Sequence, residues 1–234
     1  MDQMPQGATV VFGGSGALGQ GICRCFGRAG SDVAVIYHGS DSIAARVAEQ
    51  IGALGQRASA HYTDAADPGS VDSVWDEVVA RYGRVHTVVW AAGRAAEQLF
   101  ATDTDASQLR AVFEVHAFGF FNVVRAATPH LRSFGGNFIN VARSGHSLWP
   151  EKDGLSALPK ASNEALVRAI AKEEGRYGIR ANTIRAGVID AGVFGKYRAL
   201  GSLDQDRMDE ILARIPLGHG GSPVTWVRQR SSWR

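Results

Sequence analysis

The sequence has few cysteines and no long apolar segment. Its two cysteines, Cys23 and Cys25, lie two positions apart on a predicted helix, so they face different directions and do not pair easily. No run approaches the roughly 18 apolar residues that a membrane-spanning helix needs. The amino terminus lacks a basic segment followed by an apolar one and a cleavage site, which argues against a secretory signal. These absences predict a reduced, cytoplasmic protein that is not inserted in a membrane.

Strong charge of one sign is also missing. The 234 residues carry a net charge of +2, and the last eleven, VTWVRQRSSWR, contain three arginines and no acid. Without those three charges the net charge would be −1, so the basic character belongs to the tail rather than to a face that binds nucleic acid. We therefore expect no nucleic-acid partner. No group of potential ligands has metal-binding spacing, so no metal is expected either.

What the sequence does contain is a regular alternation of strand and helix patterns. Short apolar runs predict strands at 8–12, 32–37, 58–62, 85–90, 137–141 and 180–184. Helical spacing predicts helices at 19–29, 42–51, 71–82, 106–131 and 156–176. Apolar strands that alternate with helices are typical of a parallel sheet covered on both faces. The predicted fold is therefore α/β: a doubly wound, Rossmann-like parallel sheet in three α/β/α layers.

The carboxyl-terminal part departs from this rhythm. Residues 1–222 are predicted to form a single domain, in which 191–215 is either a mobile lid over a pocket or a pair of surface helices. The tail, 223–234, has no amphipathic period, and we hypothesise that it is a truncated or frameshifted terminus. A missing final strand would leave the sixth strand as an exposed sheet edge.

A glycine cluster follows the first predicted strand. Gly14, Gly16 and Gly19 fit the spacing G-x-G-x-x-G directly between a strand and a helix. A turn without Cβ atoms lets backbone N–H groups and the helix amino terminus approach a pyrophosphate. The alternative is a tight turn without a ligand. Because the motif stands in the strand–turn–helix context, we predict a dinucleotide site.

The end of the second predicted strand indicates which dinucleotide. Sites for the unphosphorylated ribose place an acid there, whereas this chain has Tyr37, His38, Gly39 and Ser40 before the first carboxylate, Asp41. His38 and Ser40 are potential donors to a 2′-phosphate, so NADP(H) is favoured over NAD(H). A further candidate, Asp64, either accepts a hydrogen bond from the adenine amino group or forms a turn.

Three segments together resemble the short-chain dehydrogenase/reductase family, over roughly residues 7–220. They are GGSGALG at 13–19, WAAG at 90–93 and GIRANTIRAGVIDAG at 178–192. The resemblance implies cofactor contacts from Gly13, Ser15, Gly16, Leu18, Gly19, Ala92, Gly93, Gly187 and Ile189. The match is imperfect, because Phe12, Ala17, Ala186 and Ala191 stand where the family usually has other residues.

The catalytic residues that the resemblance implies are largely replaced. The family uses a tyrosine as acid or base, a lysine four residues later, a serine about thirteen residues earlier and an asparagine on an earlier helix. Lys160 matches the lysine, for which the resemblance also implies binding of the nicotinamide ribose, but Ser156 stands at the tyrosine position. Arg143 takes the place of the serine, with Ser144 next to it, and His116 that of the asparagine.

Three functions remain open. The first is an oxidoreductase with altered acid chemistry, in which Ser144 holds the substrate oxygen, and Arg143 binds a substrate anion or stabilises an oxyanion. Its proton comes from Lys160, or from water ordered by Ser156 and His116. The second is a nucleotide-binding subunit without redox activity that pairs with an active homologue. The third is a non-redox lyase or isomerase on the same fold.

Partners follow from the same resemblance. Similar proteins form dimers or tetramers through the two long helices, here 106–131 and 156–176, so we expect a homo-oligomer, with a hetero-oligomer as the alternative. Trp149, Phe194 and Tyr197 favour a small apolar substrate, although large apolar residues are more often core.

Overall fold

The computed structural model describes residues 4–144, 150–189, 191–192 and 205–222. Its strands are β1 (Ala8–Phe12), β2 (Asp32–Tyr37), β3 (Ala58–Tyr62), β4 (Val85–Trp90), β5 (Gly136–Arg143) and β6 (Ile179–Ala186). Its α-helices are α1 (Ala17–Arg28), α2 (Asp41–Gly52), α3 (Pro68–Tyr82), α4 (Ala106–Phe113), α5 (Gly119–Phe134), α6 (Gly154–Glu173) and α7 (Gln205–Ala213). Short 3-10 turns lie at Ala101–Asp103 and Gly175–Tyr177, and a π-helical segment at Glu114–Phe118.

The strands form one parallel sheet. Across the described residues its order is β3-β2-β1-β4-β5-β6. β1 is central and pairs with β2 from Ala8 opposite Asp32, and with β4 as far as Phe12 opposite Trp90. Every residue of β1 and β4 is buried, as expected of strands covered on both faces. The strand order reverses between β1 and β4, so a crevice opens there at the carboxyl ends. The predicted doubly wound α/β fold is confirmed.

Helices cover both faces of the sheet. α1 and α2 pack on one face, where Val47 is fully buried. α3, α5 and α6 pack on the other, where Leu131 is fully buried. Trp90 anchors this second core, with its ring centroid 6.1 Å from that of Phe12 and 5.7 Å from that of Phe120. Burying each such side chain stabilises the fold by about 1.5–3 kcal/mol.

The predicted helix over 106–131 is interrupted. Asp105 starts α4 with a capping box, because its carboxylate accepts from the Ser107 N–H at 2.7 Å while its own N–H donates to Gln108 at 2.9 Å. The chain then widens into the π segment before α5 begins. The segment is helical, as predicted, but it consists of two α-helices separated by a π-helical segment rather than one continuous helix. One extra residue in a turn barely changes the apolar periodicity on which the prediction was based.

α6 begins two residues before the predicted start, at Gly154. Pro159, expected in the first turn, is therefore the sixth residue of the helix. Its ring nitrogen has no hydrogen to donate to the preceding turn. Its carbonyl accepts from the Ser162 hydroxyl at 2.7 Å. The helix continues through the proline, and its first turn carries Ser156.

Part of the carboxyl-terminal prediction lies outside the described residues. This applies to 193–204, which includes Phe194 and Tyr197, and to the tail, and Trp149 lies outside the described residues as well. Within the predicted lid, α7 is formed and buries Met208. In the described part of the chain β6 pairs with β5, and no strand pairs with its other edge. The described helices include none that is long and apolar enough to span a membrane.

Gly19 allows a test of how closely α1 packs on the turn that precedes it. A Cβ at Gly19 would overlap the carbonyl oxygen of Gly13 and lie 2.9 Å from the Cα of Gly14. We expect Gly19→Ala to lower the free energy of unfolding by about 1–3 kcal/mol, as overpacking does. Urea unfolding measures this change. Gly39→Ala is the control, since a Cβ there meets nothing within 4 Å, and equal stability of the two variants would contradict the prediction.

Candidate active site

The candidate residues converge on the carboxyl edge of the sheet. The glycine turn follows β1, His38 follows β2, and Asp64 lies beyond β3. Gly93 lies beyond β4, and Ser144 follows β5. Because carboxyl ends of parallel strands meet at one edge, the fold brings these distant segments together. The candidate residues therefore follow one another along this edge, as the binding of an extended ligand would require.

The β1–α1 turn fits a phosphate. Gly13 has φ of +80°, and a Cβ there would lie 2.6 Å from the backbone nitrogen of Ala92. Thus glycine at this position lets β1 and β4 end side by side. The Gly16 N–H bonds the Gly13 carbonyl at 2.9 Å, which closes the turn. The carbonyl of Ser15 accepts from the Gln20 side chain at 3.0 Å, which fixes its orientation.

The start of α1 supplies donors at the same place. Its first three residues, Ala17, Leu18 and Gly19, have no intrahelical acceptor for their N–H groups. Gly16, which precedes them, makes no side-chain cap that would compete for these donors. The positive end of the helix dipole adds to their attraction for an anion. The residues present therefore fit the pyrophosphate of a dinucleotide.

Aromatic rings cluster at the ends of β2 and β3. The exposed His38 ring stacks on Tyr62 at 5.6 Å, and Tyr62 meets Tyr37 edge-on at 6.0 Å. Ser40 precedes α2 without using its hydroxyl as a cap. Asp64 accepts from the Ala66 N–H at 3.0 Å, which is the turn-forming role considered for it. Its contact with adenine stays a prediction.

His116 lies in the π segment and packs against the loop after β4. A Cβ at Gly93 would lie 2.5 Å from the His116 Cε1 atom, so only glycine leaves room for the ring. Nε2 of His116 is 3.3 Å from both the backbone nitrogen and the carbonyl oxygen of Arg94. The ring thereby fixes the loop that forms one wall of the crevice.

Asn163 of α6 holds the π segment in place. A π turn breaks the regular i→i−4 pattern, so a carbonyl in it needs another donor. The side-chain amide of Asn163 donates to the carbonyl of His116 at 2.9 Å, and Asn163 is only 2% exposed. This bond joins α6 to the widened turn and so fixes the direction of the histidine ring.

Burial keeps His116 neutral. Loss of solvation lowers its pKa to about 3, and the positive charges of Lys160 and Arg94 act in the same direction. A neutral imidazole has one donor and one acceptor nitrogen. Nε2 can therefore make only one of its two Arg94 contacts at a time. At neutral pH His116 positions the loop and has no imidazolium proton to give.

Lys160 and Ser156 form a hydrogen-bonded pair one turn apart on α6. Nζ of Lys160 lies 3.1 Å from Oγ of Ser156 and 3.3 Å from its carbonyl oxygen. Burial lowers the pKa of Lys160 to about 8, and the charge of Arg143 contributes. An ammonium with this pKa can donate a proton near neutral pH and accept it back at slightly higher pH.

Arg143 has a partner within the chain. It ends β5 and forms an ion pair with Asp153, the residue that precedes α6. Asp153 also bridges to Leu99, so the pair joins three segments at the rim of the site. The Asp153 carboxylate offsets the guanidinium charge that is expected, from the sequence, to bind a substrate anion or an oxyanion. Ser144, the next residue, is exposed at this rim.

The loop after β6 closes the described part of the edge. Gly187 is exposed there, whereas Ile189 is buried. The carbonyl of Val188 accepts from the Gly221 N–H at 2.9 Å, which ties the loop to the later chain. Their contacts with a cofactor stay predictions.

Sequence reasoning missed four residues of this site: Tyr62, Arg94, Asp153 and Asn163. Tyr62 carried a usable signal, because it ends a predicted strand, whereas Asp153 lies three residues before the predicted start of the helix. Arg94 contributes backbone atoms, which residue identity does not reveal. Asn163 acts through a π turn, and no apolar period predicted that turn.

Comparisons with known proteins find relatives over most of the chain. A family model described as enoyl-(acyl carrier protein) reductase matches residues 14–226. L-rhamnose 1-dehydrogenase (NAD(P)(+)) of a Sphingomonas species is 30% identical over 221 residues, covering 93% of this chain and 85% of that protein. L-fucose dehydrogenase of Rattus norvegicus is 28% identical over 217 residues, covering 92% and 78% respectively.

A solved structure shows the same fold. It is that of a short-chain type dehydrogenase/reductase from Mycobacterium ulcerans, with a TM-score of 0.87 and 21% identity. The alignment covers 98% of this chain and 82% of that one. The family model, which spans most of the sequence, shows that this chain belongs to the short-chain dehydrogenase/reductase family of NAD(P)-linked oxidoreductases.

Proposed function

We propose that this protein is an NADP(H)-preferring oxidoreductase that interconverts a carbonyl and a hydroxyl group on a small apolar substrate. The contact that carries the proposal is the 3.1 Å hydrogen bond between Nζ of Lys160 and Oγ of Ser156. When bound, the nicotinamide cofactor supplies or accepts the hydride. The chain must then move a proton at the substrate oxygen.

Ser156 and Lys160 together have the properties that this proton transfer requires. A serine hydroxyl alone is too weak an acid near neutral pH, but it can pass a proton on while it receives another. In the reducing direction, Oγ gives its proton to the substrate oxygen as the Lys160 ammonium donates to Oγ. The oxidising direction reverses both transfers. The lowered pKa of Lys160, about 8, makes either direction accessible near neutral pH.

The remaining groups at the rim bind and position. The exposed hydroxyl of Ser144 is available to hold the substrate oxygen. The Arg143–Asp153 pair fixes the start of α6, and with it Ser156. Phe100 is 44% exposed, and the Leu99–Asp153 bridge brings its segment to this rim, which supports an apolar substrate. His116 positions the loop after β4. Bound water is the alternative source of the proton.

The preference for NADP(H) rests on the end of β2. His38 and Ser40 present donors where a 2′-phosphate would lie, and the stacking of His38 on Tyr62 holds the imidazole there. A carboxylate at this position would accept from a free 2′-hydroxyl and repel a phosphate. Its absence before Asp41 supports the phosphorylated cofactor.

The second candidate is a redox-silent subunit of the same family. It is favoured by one observation: Ser156 replaces the tyrosine that the family uses. Such a chain would bind NADP(H) without turnover and associate with an active homologue. A lyase or isomerase on this fold is the third candidate. Copurification of a second such chain supports the silent subunit, whereas turnover by the isolated protein excludes it.

Cofactor binding is the first experiment. We expect saturable binding of NADPH, and weaker binding of NADH, followed by energy transfer from tryptophan to the bound nicotinamide. His38→Asp should weaken NADPH binding by about tenfold or more and improve NADH binding, since a carboxylate repels a 2′-phosphate. His38→Ala is the matched control and should weaken the binding of NADPH without improving the binding of NADH. Failure of the folded wild type to bind either cofactor would overturn the proposal.

The pH dependence of turnover tests the proton route. Lys160 is protonated below its pKa of about 8, so carbonyl reduction should be constant below pH 8 and fall as pH rises through it. Alcohol oxidation needs the neutral amine and should rise through the same range. Initial rates with a panel of small apolar carbonyls and alcohols, followed by NADPH absorbance, measure both.

Variants separate this route from one through bound water. Lys160→Met and Ser156→Ala should each lower kcat by about 100-fold or more, the usual contribution of a positioned acid. Ser156→Tyr should raise kcat, because a phenol beside a lysine is the family's usual acid. If Ser156→Ala retained full activity with an unchanged pH profile, the proton would not pass through Ser156.

The apolar surface of α5 and α6 supports a homo-oligomer. Phe118 in the π segment and Phe121 on α5 are 53% and 51% exposed, and Leu158 on α6 is 36% exposed. Exposed aromatic groups on neighbouring helices are typical of a buried interface. We expect Phe118→Ser/Phe121→Ser to shift the sedimentation coefficient toward the monomer. Leu54→Ser, 44% exposed beyond α2, is the control and should leave it unchanged. A wild-type monomer at all concentrations would contradict the interface.

A further inference from the structure

A second cleft lies at the amino edge of the sheet, at the opposite strand ends from the candidate active site. Its volume is about 480 Å³, and it is open to solvent rather than enclosed. It is lined by the starts of β4, β5 and β6 and by the turns that precede them: Pro5, Arg84, His86, Arg132, Ser133, Phe134, Gly135, Gly136, Asn137, Tyr177, Gly178 and Arg180. No acid is among these residues.

The charge of the cleft is not balanced. Arg132 is neutralised by Glu174, which binds its guanidinium through two oxygens at 2.7 Å. Arg84 and Arg180 form no ion pair with any carboxylate in the described part of the chain. Both lie at strand starts, and the Arg84 guanidinium also reaches the carbonyl of Phe134, the last residue of α5, where the helix terminus attracts a cation. His86 adds no charge, because burial lowers its pKa to about 4.

Two polar atoms in the cleft are buried without a hydrogen-bond partner among the described residues. They are Nε of Arg84 and Oδ1 of Asn137. A buried donor or acceptor without a partner is costly, so such groups are normally satisfied. The other described contact of the Arg84 guanidinium is long: Nη2 lies 3.4 Å from the carbonyl oxygen of Phe134. Arg84 as a whole is only partly buried, so its guanidinium remains available to an oxyanion, whereas Oδ1 of Asn137 is an acceptor and would need a donor.

Aromatic rings flank these groups and orient the cations. Arg84 lies over the Phe134 ring at 5.7 Å, and Arg132 over the Tyr177 ring at 5.1 Å. A guanidinium held against a ring loses less freedom when it binds, so the cleft is partly preorganised. Phe134 is 50% and Tyr177 39% exposed, which leaves apolar surface for the rest of a ligand.

A neighbouring cleft of about 410 Å³ carries a smaller excess of positive charge. It shares Arg84 with the first, and its other lining arginine, Arg57, pairs with Asp32 at 2.8 Å. The first cleft is therefore the more positive of the two, because Arg180 adds to the charge of Arg84 there.

We propose that the amino-edge cleft binds a small phosphate monoester carried on a planar apolar group. The two cations, Arg84 and Arg180, match the two negative charges of the phosphate, and Phe134 and Tyr177 contact the planar group. The site is separate from the glycine turn and does not depend on the proposed redox activity.

Phenyl phosphate titrated into the full-length chain by calorimetry at low salt is the test. We expect saturable binding with a Kd of about 1 mM or tighter. Arg84→Gln and Arg180→Gln should each weaken it about tenfold or more, since each removes one charge-assisted contact. Arg110→Gln, on exposed α4, removes the same charge elsewhere and should leave the Kd unchanged. Arg180 is exposed, so its variant tests the site even if Arg84→Gln does not fold.

Competition with NADPH distinguishes this cleft from the glycine turn. Binding that survives saturating NADPH, or that persists in a chain that binds no NADPH, supports the amino-edge site. Absence of binding, or equal affinity in the two arginine variants and the wild type, overturns it. If benzoate bound as tightly as phenyl phosphate, the site would not be specific for a phosphate monoester. If inorganic phosphate bound as tightly as phenyl phosphate, Phe134 and Tyr177 would not contribute to binding.

Discussion

The close approach of the β1–α1 turn to the end of β4 determines how the rest of the site is arranged. Gly13 lies so near the backbone of Ala92 that no side chain fits between them. This contact brings the amino terminus of α1 to the point where the strand order reverses. The donors of α1 and the loop that follows β4 consequently face one crevice. His116 then reaches that loop from the far helical layer, so both layers contribute to one site.

Burial gives Lys160 its chemical character. Its pKa falls from the usual 10.5 to about 8, a destabilisation of the ammonium of about 3 kcal/mol. In a site with a tyrosine, such a lysine serves mainly to tune the phenol. Here its nearest hydroxyl is Ser156, whose intrinsic acidity is too low to benefit in the same way. In the proposed mechanism the lysine itself is therefore the group whose acidity suits proton transfer near neutral pH, and the serine extends its reach.

Much of the fold was readable from the sequence, because it depends on repeated local patterns. Apolar strand runs and the glycine spacing predicted the sheet and the β1–α1 turn. The π segment was not readable, since a single widened turn leaves the apolar period of 106–131 almost intact. The Arg143–Asp153 pair was not predicted either. It joins residues from β5 and the loop before α6, and such a contact is specified by the assembled sheet rather than by either segment alone.

Each of the replaced catalytic positions has its own contact with the surrounding chain. His116 fills the space beside Gly93 and is held through Asn163, while Arg143 is paired with Asp153. Ser156 is bonded to Lys160. A buried arginine without a partner would carry a desolvation cost of several kcal/mol, and the ion pair with Asp153 offsets that cost. The contacts of His116, Arg143 and Ser156 all lead to α6 or to the residue that precedes it, so this one helix keeps the crevice structured around Lys160.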